Sequence, residues 1–345
     1  MSREGNNECN QPANEVGQER RILDVSDSHD GGHPVSCRCG AAHGDETDDL
    51  SNKASHRYPM EKVAGVGTRS TADRPIMICA DDFGMGAGIN SGILELASCR
   101  RLSAVSCLSR GSFFARAARH LRSLPVDKGM HLNLTEGLCD DDFHLPLRRL
   151  IMSCWARRLD PQLVRQEIDK QLDAFEMALD QPPDYVDGHQ HVHQFPVIRE
   201  TLLDVLGRRY GSHLPWLRST CAIRASSSAS AIRLKAWLIE ALGGSATARL
   251  ASREGFRMNA RLLGIYGFGG GHEAYWRLLD AWFAEAGAGD LLMCHPSAFA
   301  DPGDRLGRQR EAEYSVLRSE RFPRLLIEHG LQLARSSTAI SAGVC

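Results

Sequence analysis

The nine residues Ile76 to Gly84, IMICADDFG, constrain this chain more than any other stretch. Apolar and small side chains run without alternation into two adjacent carboxylates and a Phe-Gly turn, the pattern of a parallel strand buried on both faces. Such a strand delivers catalytic groups at its C-terminal end. Neighbouring strand side chains point to opposite sides, so Asp81 and Asp82 reach one cavity only if the backbone twists where the strand ends. One carboxylate can then hold a metal while the other handles a proton. The alternative is a pair that caps the next helix and turns the chain.

From Arg74 onward, short apolar runs alternate with helical patterns. Ile89, Ile93, Leu96 and Ala97 form one helix face. Ala104 to Leu108 reads as a strand, Phe113 to Leu121 as a helix and Gly129 to Leu134 as a third strand. Leu138 to Arg158 shows no clear period and is expected to be a loop or small excursion over the barrel mouth. Asp160-Pro161, an N-cap followed by proline at the first helical position, opens a long helix that Gln181-Pro182-Pro183 stops. Tyr185 to His189 reads as a strand running into DGHQHVH, where alternate imidazoles would share a strand face. Further helices are expected over Pro196 to Leu206, stopped by Gly207, over Ala231 to Leu242, stopped by Gly243-Gly244, and over Tyr275 to Phe283. Pro215 to Arg218 and Leu291 to His295 read as strands, and a last helix and strand extend to about Ala334.

This alternation implies an α/β fold that is (β/α)-barrel-like, with parallel strands, outer helices and irregular or incomplete closure. In such a fold the C-terminal strand ends meet at one face. Polar residues recur at those ends: Asp81 and Asp82, His131, Asp187 and His189, and His295. A carboxylate plus two imidazoles with a vacant position is a familiar divalent site, and Asp82, His131 and His189 supply that set. A metal so held acidifies water and polarises a carbonyl. Asp81 is then expected to deprotonate the water and His295 to protonate a leaving amine.

Each residue has a plainer reading. A strand-end histidine commonly satisfies a local backbone hydrogen bond, His191 and His193 can lie in a loop, and Asp187 can either orient a ligand histidine or form a turn with Gly188. The run Gly267-Phe268-Gly269-Gly270-Gly271 lacks the Lys-Ser/Thr of a phosphate loop and reads as a flexible or closely packed loop. The five tryptophans include potential sugar platforms, Trp282 alone falling on an apparent core face.

Charge and cysteine usage set the outer limits. Residues 1–73 carry 8 Lys/Arg against 13 Asp/Glu, and residues 74–345 carry 33 against 30. So even a balance excludes a nucleic-acid footprint. The first segment, poor in apolar residues, is expected to be a disordered acidic extension. Within it His29, His33, Cys37, Cys39 and His43 resemble a zinc cluster, but Cys-Arg-Cys is not the usual knuckle. The expected domain is 74–336, with a flexible tail at 337–345. Eleven cysteines without paired spacing favour a reducing, cytoplasmic setting. There is no apolar leader at the start and no apolar run of about 18 residues, so no transmembrane segment is expected.

The motifs ADDFG with a Gly-Ile-Asn helix start, GMHLNLTEG, DGHQHVHQFP and MCHPS, in that order, resemble the YdjC-like carbohydrate deacetylases. That family includes chitooligosaccharide and hopanoid-biosynthesis-associated deacetylases, and DGHQHVHQFP with PWLR leans toward the hopanoid-associated branch. The resemblance spans roughly Pro75 to Ala334. It implies a (β/α)-barrel-like fold and divalent-cation-dependent removal of an N-acetyl group from an amino sugar, free, in an oligosaccharide or lipid-linked. On matching positions it implies metal ligands Asp82, His131 and His189, base Asp81 and acid His295. It favours Mg²⁺, whereas two imidazoles with one carboxylate suit Zn²⁺. The N-terminal extension and Ser297 depart from the pattern, and neither touches the implied ligands. A homodimer stays open. The competing functions are a metallohydrolase of another amide and a carbohydrate-binding protein without turnover; the order of the Asp pair and HQHVH counts against the first, and the second carboxylate counts against the second.

Overall fold

The computed structural model describes residues 74–222 and 230–340. The expected extension over 1–73, with its histidine-cysteine group, lies outside the described residues, as do 341–345 of the expected tail.

Eight strands form the sheet: β1 (Arg74–Phe83), β2 (Ala104–Cys107), β3 (Asp127–Leu132), β4 (Tyr185–Gly188), β5 (Trp216–Leu217), β6 (Leu262–Leu263), β7 (Leu291–Cys294) and β8 (Leu331–Leu333). Their order is β5-β4-β3-β2-β1-β7-β6, with β8 also on β1, and every pairing is parallel. The sheet curls into a half-barrel surrounded by helices. Its two ends approach through the isolated bridges Leu217–Met258 and Ala222–Leu262. The expected incomplete (β/α) barrel is therefore the observed architecture.

Strand alternation divides the core in two. Ile76, Ile78 and Ala80 of β1 pack outward against Ile89, Ile93 and Leu96 of the helix Ala87–Ser98. Met77 and Cys79 face inward, where they join Tyr185, Trp216, Leu291 and Met293. Extending this parity along the strands puts Asp81, His131, Asp187 and His295 on the inward side. Asp82 breaks it. Its φ of 71° lies in the left-handed region, and the β1–β2 register shifts between Ala80 and Phe83. This irregularity turns the second carboxylate to the same cavity as the first, at a backbone cost on the order of 1–3 kcal/mol.

Several expectations need correction. The stretch Leu138 to Arg158 is not all loop, because Leu147–Trp155 forms a helix with Leu150 and Cys154 buried; flanking arginine pairs hide that short face. Gly207 lies inside the helix Ile198–Tyr210, and Gly211, at φ 55°, ends it. Gly243, at φ 139°, kinks the chain rather than stopping it, since Ser245–Arg253 is again helical. β6 is two residues long and carries too little pattern to be foreseen. DGHQHVH leaves the strand at Gly188, and His189–Gln194 folds as a tight helical turn with Gln190 and His191 at positive φ. The histidines therefore do not share a strand face.

The long helix starts as expected: the Asp160 side chain accepts from the Gln162 amide 2.9 Å away and Pro161 occupies the first turn. Every cysteine among the described residues is unpaired. No described helix is long and apolar enough to cross a membrane.

Candidate active site at the strand ends

Asp82 Oδ1 lies 2.9 Å from His189 Nδ1 and 3.5 Å from His131 Nε2. One donor atom from each of these three residues falls within 4.8 Å of the others, the geometry of a group able to hold a metal ion. The expected ligand residues are thus brought together. His131 is oriented from behind: its Nδ1–H donates to Asp187 Oδ1 over 2.6 Å, which leaves Nε2 for a ligand. Ser106 Oγ fixes the other Asp187 oxygen at 2.7 Å. Asp187 is fully buried within β4, so of its two sequence readings the contact to a histidine is observed and the turn with Gly188 is not.

Asp81 stands beside this group without joining it. Arg218, completely buried, donates to both Asp81 oxygens at 2.7 Å and reaches Asp187 Oδ2 at 2.6 Å. Burial alone would raise the Asp81 carboxyl, but the Arg218 guanidinium outweighs it and holds the group well below the usual carboxylate range. Burial likewise opposes ionisation of Asp82, and there Arg310, donating to Oδ2 at 2.7 Å, keeps the carboxylate well below its ordinary value.

His295 completes the expected set. Its Nε2 is 3.8 Å from Asp81 Oδ2. Burial pushes its imidazole down to about 4, against the pull of Asp82 and Asp81, so it rests neutral at physiological pH. Burial would also lower His131, but Asp187 and Asp81 carry its imidazolium up to about 10. Three carboxylates, Asp81, Asp82 and Asp187, face two guanidiniums, Arg218 and Arg310. The proton held by His131 balances the remaining charge, and a dication that displaced it from Nε2 would lie between donor types that suit it, two imidazoles and Asp82.

Asp81, Asp82, His131, His189, His295 and Arg310 line a cavity of about 910 Å³ whose walls include Met85, Ile151, Phe195, Ile239, Tyr266 and Phe268, with Asp187 and Arg218 behind them. The remaining histidines separate. His193 Nε2 donates to the Arg218 carbonyl at 3.0 Å, a structural role, while His191 lines the cavity. Trp216, Trp276 and Trp282 are core residues, and Trp155 and Trp237 are exposed. In the glycine run, Phe268 covers His295 edge-on with ring centroids 4.9 Å apart.

The sequence profile of YdjC-like proteins matches residues 75–328. The chain belongs to that family. The human protein named carbohydrate deacetylase is 30% identical over 149 residues, which cover 39% of this YdjC-like chain and 46% of the human one. The match therefore spans less than half of that relative. The chitooligosaccharide deacetylase of Enterobacter sp. (strain 638) is 25% identical over 273 residues, 76% of this chain and 97% of that protein. Among solved structures, an Enterococcus faecalis V583 protein described as a candidate cellobiose-phosphate cleavage protein superposes with a TM-score of 0.57 at 22% identity, covering 78% of this chain and all of that one. That likeness concerns the fold.

Three residues of the YdjC-like site escaped the sequence reading. Arg218 follows the apolar run Pro215 to Leu217, the same strand-end placement that marked the acids and histidines, and this signal was available. Arg310 and Glu313 sit on the helix Gly307–Arg318, where nothing local distinguishes them from solvated charges. Glu313 is fully buried, accepts from the His295 amide at 2.6 Å and from the Tyr266 hydroxyl, and burial pushes its carboxyl up to about 7.

Proposed function

We propose that this chain is a metal-dependent carbohydrate N-deacetylase, hydrolysing the acetamide of an amino sugar to acetate and a free amine. The observation that carries the reading is Asp81, gripped by buried Arg218, standing beside the Asp82–His131–His189 group and 3.8 Å from His295. The relatives named as deacetylases support the same reaction class.

Asp82, His131 and His189 would hold the cation. When bound, a divalent ion supplies Lewis acidity toward the acetyl oxygen and lowers the pKa of water. Asp81 accepts a proton from the attacking water, its carboxylate kept charged and aimed by two Arg218 hydrogen bonds. The proton that Asp81 takes from water passes to His295, whose Nε2 is 3.8 Å from Asp81 Oδ2, and from His295 to the departing nitrogen. An imidazolium with a pKa as low as about 4 is a strong acid, suited to protonating a poor leaving group. Asp187 holds the His131 ring, and Arg310 orients Asp82. Phe268 and the apolar wall shield the floor from bulk water.

Two imidazoles beside one carboxylate favour Zn²⁺ over Mg²⁺ by donor softness. Acetate release by metal-stripped protein, with each ion restored separately, tests both the reaction and the metal. The substrates are free N-acetylglucosamine, chitooligosaccharides and lipid-linked glycosides. Metal-dependent release from at least one class supports the reading; release from none, with metal bound, overturns it.

A further inference from the structure

The rim of the cavity carries an apolar, cationic surface that the hydrolytic chemistry does not use. Two helices build it, Leu147–Trp155 and Ser230–Ile239. Ile151 and Ile239 line the catalytic cavity, while Trp155 and Trp237 line a neighbouring cavity of about 520 Å³. The same two helices thus border both hollows.

Their outer faces are unusual. In Ser230–Ile239 only Ala236 is buried. Leu234, Trp237 and Leu238, at helical spacing i, i+3 and i+4, are 57%, 49% and 48% exposed. This amphipathic helix turns its apolar stripe away from the protein. On the helix Leu147–Trp155 Met152 is 71% and Trp155 54% exposed. Five of the nine large hydrophobic residues exposed among those described lie on these two short elements, a concentration that scattered surface apolars do not produce.

Charge selects the partner. The helix Leu147–Trp155 and the two residues after Ala156 carry Arg148, Arg149, Arg157 and Arg158, all exposed, with no acidic residue among them. The flanking acids are Asp140 to Asp142, of which Asp141 and Asp142 pair with Arg110, and Asp160, which caps the next helix. Residues 230–253 contain Arg233, Arg249 and Arg253 against Glu240; Lys235 turns inward, donating to the Tyr266 carbonyl at 2.6 Å. Tryptophan, methionine and arginine are also enriched in protein–protein interfaces, so it is the cationic excess that selects the partner: apolar side chains ringed by arginines match the surface of an anionic bilayer, where apolar burial and attraction to lipid phosphates add together.

We propose that this rim is a membrane-docking surface, and that the protein settles by its two rim helices onto an anionic lipid bilayer with the mouth of the catalytic cavity beside it. Binding is peripheral, through exposed side chains and without a crossing helix. The proposal does not depend on the deacetylase reading, because the rim residues named here take no part in the chemistry.

The test is co-sedimentation of the full chain with phosphatidylcholine vesicles, with and without phosphatidylglycerol. Binding to the phosphatidylglycerol vesicles is expected, weakened by added salt, with a blue shift of tryptophan emission. Two variants probe the rim separately: the apolar triple L234S/W237S/L238S and the charge pair R148E/R149E. Each should weaken binding by roughly tenfold or more, the charge pair at about fivefold per arginine near an anionic surface and the apolar triple through the lost burial of a tryptophan and two leucines. Ile327→Ser, at a position 75% exposed on the helix Arg321–Glu328, should leave binding unchanged. Melting temperatures equal to wild type show that the variants are folded. Absence of vesicle binding, or binding that neither rim variant alters, overturns the proposal. So does sedimentation velocity showing a wild-type dimer that the apolar triple dissociates, which would make the stripe an interface between two copies.

Discussion

Arg218 grips Asp81 through two hydrogen bonds of 2.7 Å across 137 residues of sequence, Arg218 fully buried and Asp81 showing only a carboxylate edge to the cavity. The same guanidinium touches Asp187, which in turn holds His131. The proposed base Asp81 and the proposed ligand His131 are therefore parts of one buried network rather than independent strand-end groups.

Breaking that network should cost stability as well as activity. Removing one partner of a buried ion pair leaves an uncompensated charge, a loss of about 3–5 kcal/mol. Arg218→Leu is expected to lower the urea midpoint accordingly. Asp81→Asn/Arg218→Leu should recover part of the loss because it leaves one fewer buried charge, and unfolding curves for both variants check this.

Asp187→Asn should spare the fold more than Arg218→Leu does, since the amide can still accept from Arg218. It removes the anionic partner of His131 Nδ1. Metal affinity is expected to fall about 10- to 100-fold, read by competition of Zn²⁺ against a chromophoric chelator.

Much of this architecture was legible from local pattern. The unbroken apolar run into Asp81-Asp82 announced a buried parallel strand, and the recurrence of His131, His189 and His295 at other strand ends implied convergence. Two kinds of information were missing. The twist at Asp82 depends on the register of β1 against β2, which no single strand encodes. Arg310 reaches Asp82 across 228 residues from a helix, and periodicity does not say which charged residues of a helix turn inward. DGHQHVH misled because alternating polarity looks the same in a strand and in a turn; the left-handed Gln190 and His191 decide it.

Glu313 should leave a signature in the pH dependence of stability. Burial raises its carboxyl from 4.5 to about 7, so the folded protein holds a proton that the unfolded chain releases. The associated stability is fully present below pH 4.5 and is lost as the pH rises through about 7, a total of about 3 kcal/mol from a shift of that size. Glu313→Gln should remove this slope. Denaturation of both proteins at pH 5, 6 and 8 checks it, with the variant gaining on wild type as the pH rises.

The central claim is that Asp81 is the base and not a ligand. The most direct measurement pairs Asp81→Asn with wild type, recording bound metal and acetate release from the N-acetylated substrate that wild type cleaves. The account predicts a metal content equal to wild type and hydrolysis reduced at least about 100-fold, the contribution typical of general-base catalysis. Undiminished hydrolysis, or loss of the metal together with activity, would contradict it.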